Sequence, residues 1–233
     1  MKRRLFQLYS AEKLGLGFLK ALLWSVNSGE VRPSLGTGMA RRVAGVHVAG
    51  SPVLRNVSCA VMRSEISALG PCIARMTKLL QRFNGQGIAA PQVGENVRLF
   101  LLARGEGSKR PPLAVFNPQV LRQSRAQSID WETCFSVPNY AALVSRPERV
   151  EVEYMTLEGK TTTGVLSGDL ARCFQHELDH LDGVLYTTRC NPSSIAHVDE
   201  LKSEQARAAI EREARRVVSG RGAAGPADEN ESA

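Results

Sequence analysis

The sequence lacks the long apolar runs, the cysteine pattern and the internal repeats that mark several large classes of protein. No stretch reaches the about 18 consecutive apolar residues that a membrane-spanning helix needs, so we expect no membrane insertion. The five cysteines are an odd number without the spacing of a secreted disulfide framework, which favours a reducing compartment. No repeat of solenoid type is visible. With 233 residues and 43% apolar content, the chain is long enough for one well-packed domain.

Acidic residues are scarce at the amino terminus, where the first 44 residues hold eight Lys or Arg against Glu12 and Glu30. This basic, moderately amphipathic start is typical of an organelle transit peptide, and Lys13 and Lys20 interrupt the apolar run that a secretory signal needs. We therefore expect a transit peptide and linker over 1–42 and a mitochondrial location. A basic helix that stays on a cytoplasmic protein is the alternative. The net charge of +7 fits a targeting segment better than a nucleic-acid-binding surface.

Two of the four histidines lie in one short string, HELDH, at His176–His180. Side chains four positions apart lie on the same face of a helix, so both imidazoles can reach one metal ion. Glu177 stands beside them, where an unliganded carboxylate can accept a proton from a water molecule at the ion. Because HExxH also occurs by chance on solvated helices, the string indicates a metal-dependent hydrolase only together with the rest of the chain.

The spacing of apolar residues predicts an α+β fold in which strands precede the metal-binding helix. Intervals of three and four predict a first helix from about Ser64 to Phe83, with a stop at Asn84. The helix that carries HELDH is expected to be capped by Ser167 or Asp169 and to end before Gly183. Strands are predicted at Val97–Ala103, Leu113–Phe116, Arg149–Met155 and Lys160–Val165, a hairpin turn at 157–159, a last helix at Ala196–Val218 and a disordered tail at 220–233.

Two further strings carry little information when each is taken alone. Gly85–Gly94, GQGIAAPQVG, lets backbone approach a ligand closely and offers the amide of Gln92, although a glycine-rich turn explains it as well. It lacks the preceding strand and following helix of a dinucleotide-binding fingerprint. Glu132–Pro138, ETCFSVP, holds one thiol among small polar residues, and such a cysteine is more often buried than a metal ligand.

In this order, the three strings resemble the peptide deformylase family, whose hallmarks are GxGxAAxQ, an EGCLS-like segment and QHExDH. VAGSPVLR at 48–55 and the segment 141–160 resemble the same family, so the likeness spans roughly Val43 to Tyr186. The resemblance implies a catalytic domain over 43–190, followed by a C-terminal helix over 191–219. It also implies antiparallel sheets packed around a central metal-binding helix.

The resemblance implies a metal centre formed by Cys134, His176 and His180. Three protein ligands leave an open position for water, which is the arrangement of catalytic metal sites. By family likeness the ion would be Fe(II), with zinc, nickel or cobalt as alternatives, because these ligand types alone do not choose among them.

The same resemblance implies a catalytic role for three other residues. Glu177 would act as general base and then general acid. The carboxamide of Gln92 and the backbone N–H of Phe135 would stabilise the negative charge that develops on the formyl oxygen. The reaction would remove the formyl group from the initiator methionine of nascent polypeptides and release formate.

The residues implied at the substrate include several departures from the family pattern. Gln86 and Arg172 replace residues that are usually apolar, Thr133 replaces a glycine and Phe135 a leucine. A guanidinium in the methionine pocket would weaken binding of the methionine thioether there, since burying an unpaired charge is costly. The alternative is that Arg172 extends to solvent and Gln86 faces water. The implied substrate-binding group is Gly85, Gln86, Gly87, Ile88, Thr133, Arg172 and Cys173, with backbone near Gly87 aligning the peptide as an added strand.

Two other functions fit parts of the sequence. A divergent deformylase-like module could keep its metal, have an altered substrate pocket and bind an organelle ribosome through its basic surface. A zinc peptidase of the HExxH type would need a third ligand downstream, where His197 is the only imidazole. The intact Glu177, Gln92 and predicted ligands favour the enzyme, with N-formylmethionyl nascent peptides as substrates and an organelle ribosome as a candidate partner.

Overall fold

The computed structural model describes residues 44–104 and 110–221. The predicted transit peptide and linker at 1–42 lie outside the described residues, as does the predicted tail beyond Arg221. The elements in chain order are α1 (Gly70–Phe83), β1 (Gly87–Ala89), β2 (Leu99–Leu102), β3 (Leu113–Gln123), β4 (Gln127–Cys134), β5 (Val137–Pro147), β6 (Arg149–Met155), β7 (Thr161–Ser167), α2 (Gly168–Leu181), β8 (Ala196–His197) and α3 (Glu204–Arg221). Two antiparallel sheets and their helices make the predicted α+β fold. Among the described residues, none of the helices has the length and apolarity to span a bilayer.

The first predicted helix is two elements in the structure. A 3-10 helix, Arg63–Leu69, leads directly into α1, which begins at Gly70 with Pro71 in its first turn. Proline fits the first turn of an α-helix because it needs no hydrogen-bond partner for an N–H there. The helix ends as predicted, with Asn84 in the left-handed conformation (φ 49°, ψ 40°).

The five-stranded sheet has the order β1-β2-β3-β6-β7. Strand β6 has the predicted bounds, β2 and β7 differ by one or two residues at each end, and β3 continues to Gln123, beyond its predicted end at Phe116. The predicted turn between β6 and β7 is confirmed, with Gly159 at φ 71°. Strand β1, which was not predicted, lies at the edge of this sheet, and no strand within the described residues pairs with its other side.

A second sheet of order β4-β5-β8 confirms the antiparallel sheets that the resemblance implied, although none of its three strands was predicted individually. Its main part is the hairpin formed by β4 and β5, which pair from Gln127 and Pro147 to Cys134 and Val137. Glu132 in β4 and Arg146 in β5 are buried charged residues. Because buried charges interrupt the alternation of apolar and polar residues, the pattern that predicts a strand is missing from both β4 and β5.

Helix α2 lies between the two sheets. Ser167 occupies its N-cap position without a side-chain cap hydrogen bond, and the helix ends before Gly183, as predicted. Gly183 has φ 73°, and a Cβ there would lie 2.6 Å from the Arg55 carbonyl oxygen, so both conformation and space favour glycine. Phe174 packs edge to face on Phe100 of the five-stranded sheet, with ring centroids 5.1 Å apart. The central metal-binding helix of the predicted fold is therefore present.

The carboxyl-terminal helix begins later than predicted. Residues expected to start it form strand β8 and a 3-10 helix, Glu200–Lys202, and α3 starts at Glu204. The prediction placed the helix start eight residues too early because Ala196 and Leu201, which fit a helical pattern, are buried beside the β4–β5 sheet instead. The indole N–H of Trp131 donates to Glu211 over 2.8 Å and connects α3 to β4.

Candidate metal centre

Two imidazoles and one thiol converge at the side of α2 that faces the β4–β5 hairpin. His176 and His180 are both buried, and their ring centroids lie 5.1 Å apart. Cys134, the last residue of β4, has its Sγ 3.2 Å from His180 Nε2. One ligand atom from each of the three residues lies within 4.8 Å of the others. The predicted metal ligands are thus brought together.

The spacing of these donors fits a divalent transition metal. Metal–ligand bonds of about 2.3 Å to sulfur and about 2.0 Å to nitrogen place two donors of a tetrahedral site about 3.5 Å apart. A thiolate and two imidazoles are ligands of zinc and of iron-group ions rather than of magnesium or calcium. The group therefore fits the predicted kind of cofactor, and the ligand types do not select one ion.

The local structure of the hairpin directs Cys134 towards α2. The register of β4 and β5 shifts between Thr133 and Cys134, as in a β-bulge, and such irregularities re-aim side chains. The sulfur accepts the backbone N–H of Ser136 and the amide of Gln92, each over 3.4 Å. Burial raises the pKa of the thiol, but the neighbouring His180 and His176 hold it well below its usual range. The centre therefore favours the thiolate, which is the form of cysteine that binds a metal.

His176 is oriented by a buried carboxylate. Its Nδ1 lies 2.8 Å from Glu132 Oε2, which leaves Nε2 directed to the side of Cys134. A partner of this kind fixes the ring and the tautomer of a ligating histidine. Arg146 forms two hydrogen bonds to Glu132, at 2.6 and 2.8 Å, and these and His176 hold the pKa of the carboxyl well below its usual range despite burial. His180 Nδ1 has no hydrogen-bond partner within the described part of the chain.

Glu177 is also a buried carboxyl, but its pKa is raised where that of Glu132 is lowered. Burial raises its pKa to about 7, although the nearby His176 and His180 act in the other direction. Its Oε2 has no hydrogen-bond partner among the described residues. A Cβ on Gly87 would overlap the Glu177 carboxylate, so a glycine in β1 makes room for this side chain. Glu177 is thereby placed with an available oxygen between α2 and the edge of the five-stranded sheet.

Gln92 is anchored at the same place by its own hydrogen bonds. Its Oε1 accepts the backbone N–H of Ala89 over 2.8 Å, and its Nε2 donates to Ser136 Oγ over 3.1 Å as well as to Cys134. The carboxamide therefore lies against the predicted metal ligands, and its Nε2 is directed towards Cys134. Phe135 follows Cys134, and its ring packs on Phe83 and above Gly85, where a Cβ would overlap it.

The residues predicted to bind substrate fall into separate environments. Gly85, Gln86, Gly87 and Thr133 are half-buried near the centre, on the approach to β1 and at the end of β4. Ile88 and Cys173 are buried in two different apolar clusters, one with α1 and one between α2 and the five-stranded sheet. For all six of these residues, contact with a substrate stays a prediction.

Arg172 requires a correction. It neither extends to solvent nor offers a free guanidinium to a methionine pocket, because the side chain is 4% exposed and both terminal nitrogens donate hydrogen bonds inside the protein. Nη1 donates to Glu132 Oε1 over 2.8 Å and to the Val144 carbonyl over 2.9 Å, and Nη2 donates to the Ser128 carbonyl over 2.6 Å. The prediction failed because helical spacing shows which face a residue starts from and not where a long side chain ends.

Sequence reasoning missed the charged residues that surround the ligands. Arg146 connects Glu132 to Asp179 over 2.8 Å, and Arg189 forms two hydrogen bonds to Asp179, at 2.6 and 2.7 Å. Because Glu132 and Asp179 stand inside the strings that contain the ligands, their position could have indicated a role at the metal centre. Arg146 and Arg189 lie outside these strings, and their local sequence does not indicate a role at the metal centre.

Comparison with known proteins gives consistent matches. The family model described as polypeptide deformylase matches residues 43–195. Peptide deformylase 2 of Gloeobacter violaceus is 40% identical over 154 residues, which are 65% of this chain and 81% of the relative. The crystal structure of peptide deformylase from Thermotoga maritima matches with a TM-score of 0.58 at 36% identity, covering 67% of this chain and 100% of that one. The Met-Ala-Ser-bound class I type b peptide deformylase of Acinetobacter baumannii matches with a TM-score of 0.58 at 33% identity, covering 65% and 99%.

Proposed function

The chain belongs to the polypeptide deformylase family, and we propose that it uses the Cys134–His176–His180 centre to hydrolyse the formyl group from the initiator methionine of nascent polypeptides, releasing formate. The observation that carries the proposal is the convergence of one thiol and two imidazoles beside the buried Glu177. A relative with a matching fold is described with bound Met-Ala-Ser, a peptide of the kind that remains after deformylation.

The metal would be held by Cys134 Sγ, His180 Nε2 and His176 Nε2. A divalent ion in this position supplies Lewis-acid activation of water and of the formyl carbonyl. By resemblance to the family we propose Fe(II) as the native ion, with zinc, nickel or cobalt as alternatives, since the ligand set alone does not distinguish them.

Glu177 would move the proton in this reaction. Its Oε2, which has no hydrogen-bond partner among the described residues, can accept a proton from the attacking water and pass it to the departing amino nitrogen. In the metal-free protein burial raises the pKa of Glu177 to about 7, which is the direction that helps a carboxyl both take and give a proton near neutral pH. The proton would therefore travel from water to Glu177 and from there to the new amino terminus.

Gln92 and Phe135 would stabilise the oxygen on which negative charge develops. The hydrogen bonds of Gln92 to Ala89 and Ser136 hold its carboxamide in one orientation, so little reorganisation is needed during the reaction. We propose the backbone N–H of Phe135, next to the Cys134 ligand, as the second donor.

The edge of β1 that faces away from β2 would bind the peptide backbone. Residues of a strand direct their backbone groups alternately to its two sides. The Gln86 carbonyl accepts from Ala103 on the β2 side, and the Ala89 N–H is used on the other side by Gln92. Gly87 shares the side of Ala89, so its N–H and C=O face the edge where an extended peptide could be added as a strand.

We further propose that residues 1–42 direct the chain to mitochondria, where an organelle ribosome would present its substrates. The support is the excess of Lys and Arg over acidic residues in that segment. Fusing residues 1–42 to a fluorescent reporter tests the address, with a variant in which the basic residues are replaced by Gln as control. Mitochondrial fluorescence for the first fusion alone is expected, and cytosolic fluorescence for both would contradict the proposal.

The function itself is tested by formate release from formyl-Met-Ala-Ser by the metal-loaded protein, measured beside cleavage of an unformylated peptide. The proposal predicts formate from the formylated substrate and no internal cleavage of either peptide. Internal cleavage would favour an HExxH peptidase. A protein that binds metal and releases no formate would favour a divergent binding module.

A further inference from the structure

We propose that Arg172 is a positioning residue of the metal centre, which holds the helix carrying His176 and His180 against the hairpin carrying Cys134. The proposal rests on the proposed metal centre and does not depend on which substrate the enzyme accepts. The ligands come from two elements that are far apart in the sequence, so their separation depends on what connects α2 to β4 and β5.

Arg172 makes this connection from inside the protein. It lies on α2 one turn before His176, and its guanidinium donates to acceptors of three residues on the hairpin. The carbonyls of Ser128 in β4 and Val144 in β5 each accept one hydrogen bond, and the Glu132 carboxylate accepts a third. A planar guanidinium can serve several acceptors in fixed directions, which an ammonium cannot do equally well.

The bond to Glu132 extends the connection to a ligand. Oε1 of Glu132 accepts from Arg172 Nη1 and Arg146 Nε, while Oε2 accepts from Arg146 Nη2 and lies 2.8 Å from His176 Nδ1. The two arginines thus hold both oxygens of one wholly buried carboxylate. This fixes the rotation of the carboxylate and keeps Oε2 directed at His176.

Loss of Arg172 should loosen the ligand geometry without unfolding the protein. The Ser128 and Val144 carbonyls and one carboxylate oxygen would lose a donor, which is costly for buried acceptors. Other contacts between helix and hairpin remain, because Arg146 still donates to Asp179 and Gln175 still donates to the Pro147 carbonyl. We therefore expect a folded protein whose imidazoles are less well placed relative to Cys134.

The experiment measures zinc affinity by chelator competition for the wild type, Arg172→Met, Arg172→Lys and a control, Arg98→Met. Arg98 also bonds to the α2 segment, through Asp182 and the Leu181 carbonyl, and contacts none of the ligands. Residues that orient metal ligands typically contribute about 10- to 100-fold in affinity. We expect a loss of that size in Arg172→Met, a smaller loss in Arg172→Lys and wild-type affinity in Arg98→Met.

Two further measurements separate positioning from a general loss of structure. The thiolate-to-metal charge-transfer spectrum of the cobalt-loaded protein should shift in Arg172→Met and stay unchanged in Arg98→Met. If Arg172 acts through Glu132, the effects of Arg172→Met and Glu132→Gln on zinc affinity should be less than additive.

Wild-type zinc affinity and an unchanged cobalt spectrum in folded Arg172→Met would overturn the proposal. If that variant does not fold, Arg172→Lys decides, and wild-type affinity there would overturn it equally. A wild type that binds metal but releases no formate would count against the proposed function alone and leave the role of Arg172 standing.

Discussion

Two buried glutamates of the centre have opposite pKa shifts because their partners differ. Glu132 has arginines on both oxygens, so the pKa of its carboxyl is held well below the usual range. Glu177 has an oxygen without a partner among the described residues, and burial raises its pKa to about 7. A carboxylate that must stay charged orients a ligand, and one that exchanges a proton can catalyse.

Replacing Glu177 by Gln should remove turnover and spare the metal. The amide keeps the shape of the side chain but cannot accept the proton, and general base catalysis contributes about 10²- to 10⁴-fold. Formate release and metal content per chain are the measurements. Glu158→Gln, on the exposed turn between β6 and β7, is the control and should be unaffected. Turnover near the wild-type rate in Glu177→Gln would rule out this role.

The raised pKa of Glu177 also predicts how the stability of the metal-free protein depends on pH. Its pKa is about 4.5 when unperturbed and about 7 in the folded protein. The unfolded chain therefore gives up this proton at lower pH, and the free energy of unfolding falls as pH rises between these values.

Metal-free Glu177→Gln should lose less stability than the metal-free wild type across this window, by on the order of 3 kcal/mol at most. Urea unfolding of both proteins at about pH 5 and about pH 8 measures the difference. Groups common to both proteins cancel in the comparison. Parallel stability curves would show that burial does not disfavour the charged form of Glu177.

At the scale of elements, the β4–β5 hairpin marks the limit of what the sequence predicts. Helix α2 was predicted closely from its N-cap residue, the HELDH string and Gly183, and strand β6 because its apolar residues follow the strand period. The hairpin was missed because Glu132 and Arg146 are buried through each other, and a single-residue pattern carries no sign of that pairing. The ligand role of Cys134 was available only through the resemblance, since its distance from His180 depends on this hairpin.

The pairing predicts that Arg146→Met destabilises the protein strongly. Arg146 neutralises Glu132 and Asp179 in the interior, and removal of one partner of a buried ion pair costs about 3–5 kcal/mol. Arg122→Met is the matched control, because that side chain is 85% exposed and its ion pair with Glu151 spans 3.8 Å. Denaturant unfolding should show a change below about 1 kcal/mol for the control. A similarly small change in Arg146→Met would mean that the network contributes little.

At the scale of the whole molecule, the centre joins segments that are far apart in the sequence. Gln92 follows β1, Cys134 ends β4 and the two imidazoles lie on α2, so both sheets and the helix between them must be formed to complete it. A ligand that binds only the folded state stabilises that state. Metal binding and global stability should therefore be coupled.

Metal removal should lower the thermal unfolding midpoint. A free metal concentration of about 100 times Kd adds about 2.7 kcal/mol, which corresponds to roughly 5–11 °C for a domain of this size. Scanning calorimetry of metal-loaded and chelator-treated protein measures the shift. Cys134→Ser, which lacks the thiolate ligand, should show a much smaller difference between the two states. An equal shift in this variant would place the stabilising ion elsewhere.

X-ray absorption at the metal edge of the zinc-loaded protein tests the ligand set most directly. One sulfur at about 2.3 Å and imidazole nitrogens at about 2.0–2.1 Å are predicted, with the sulfur contribution absent from Cys134→Ser. A wild-type spectrum with only nitrogen and oxygen neighbours would contradict the Cys134–His176–His180 centre.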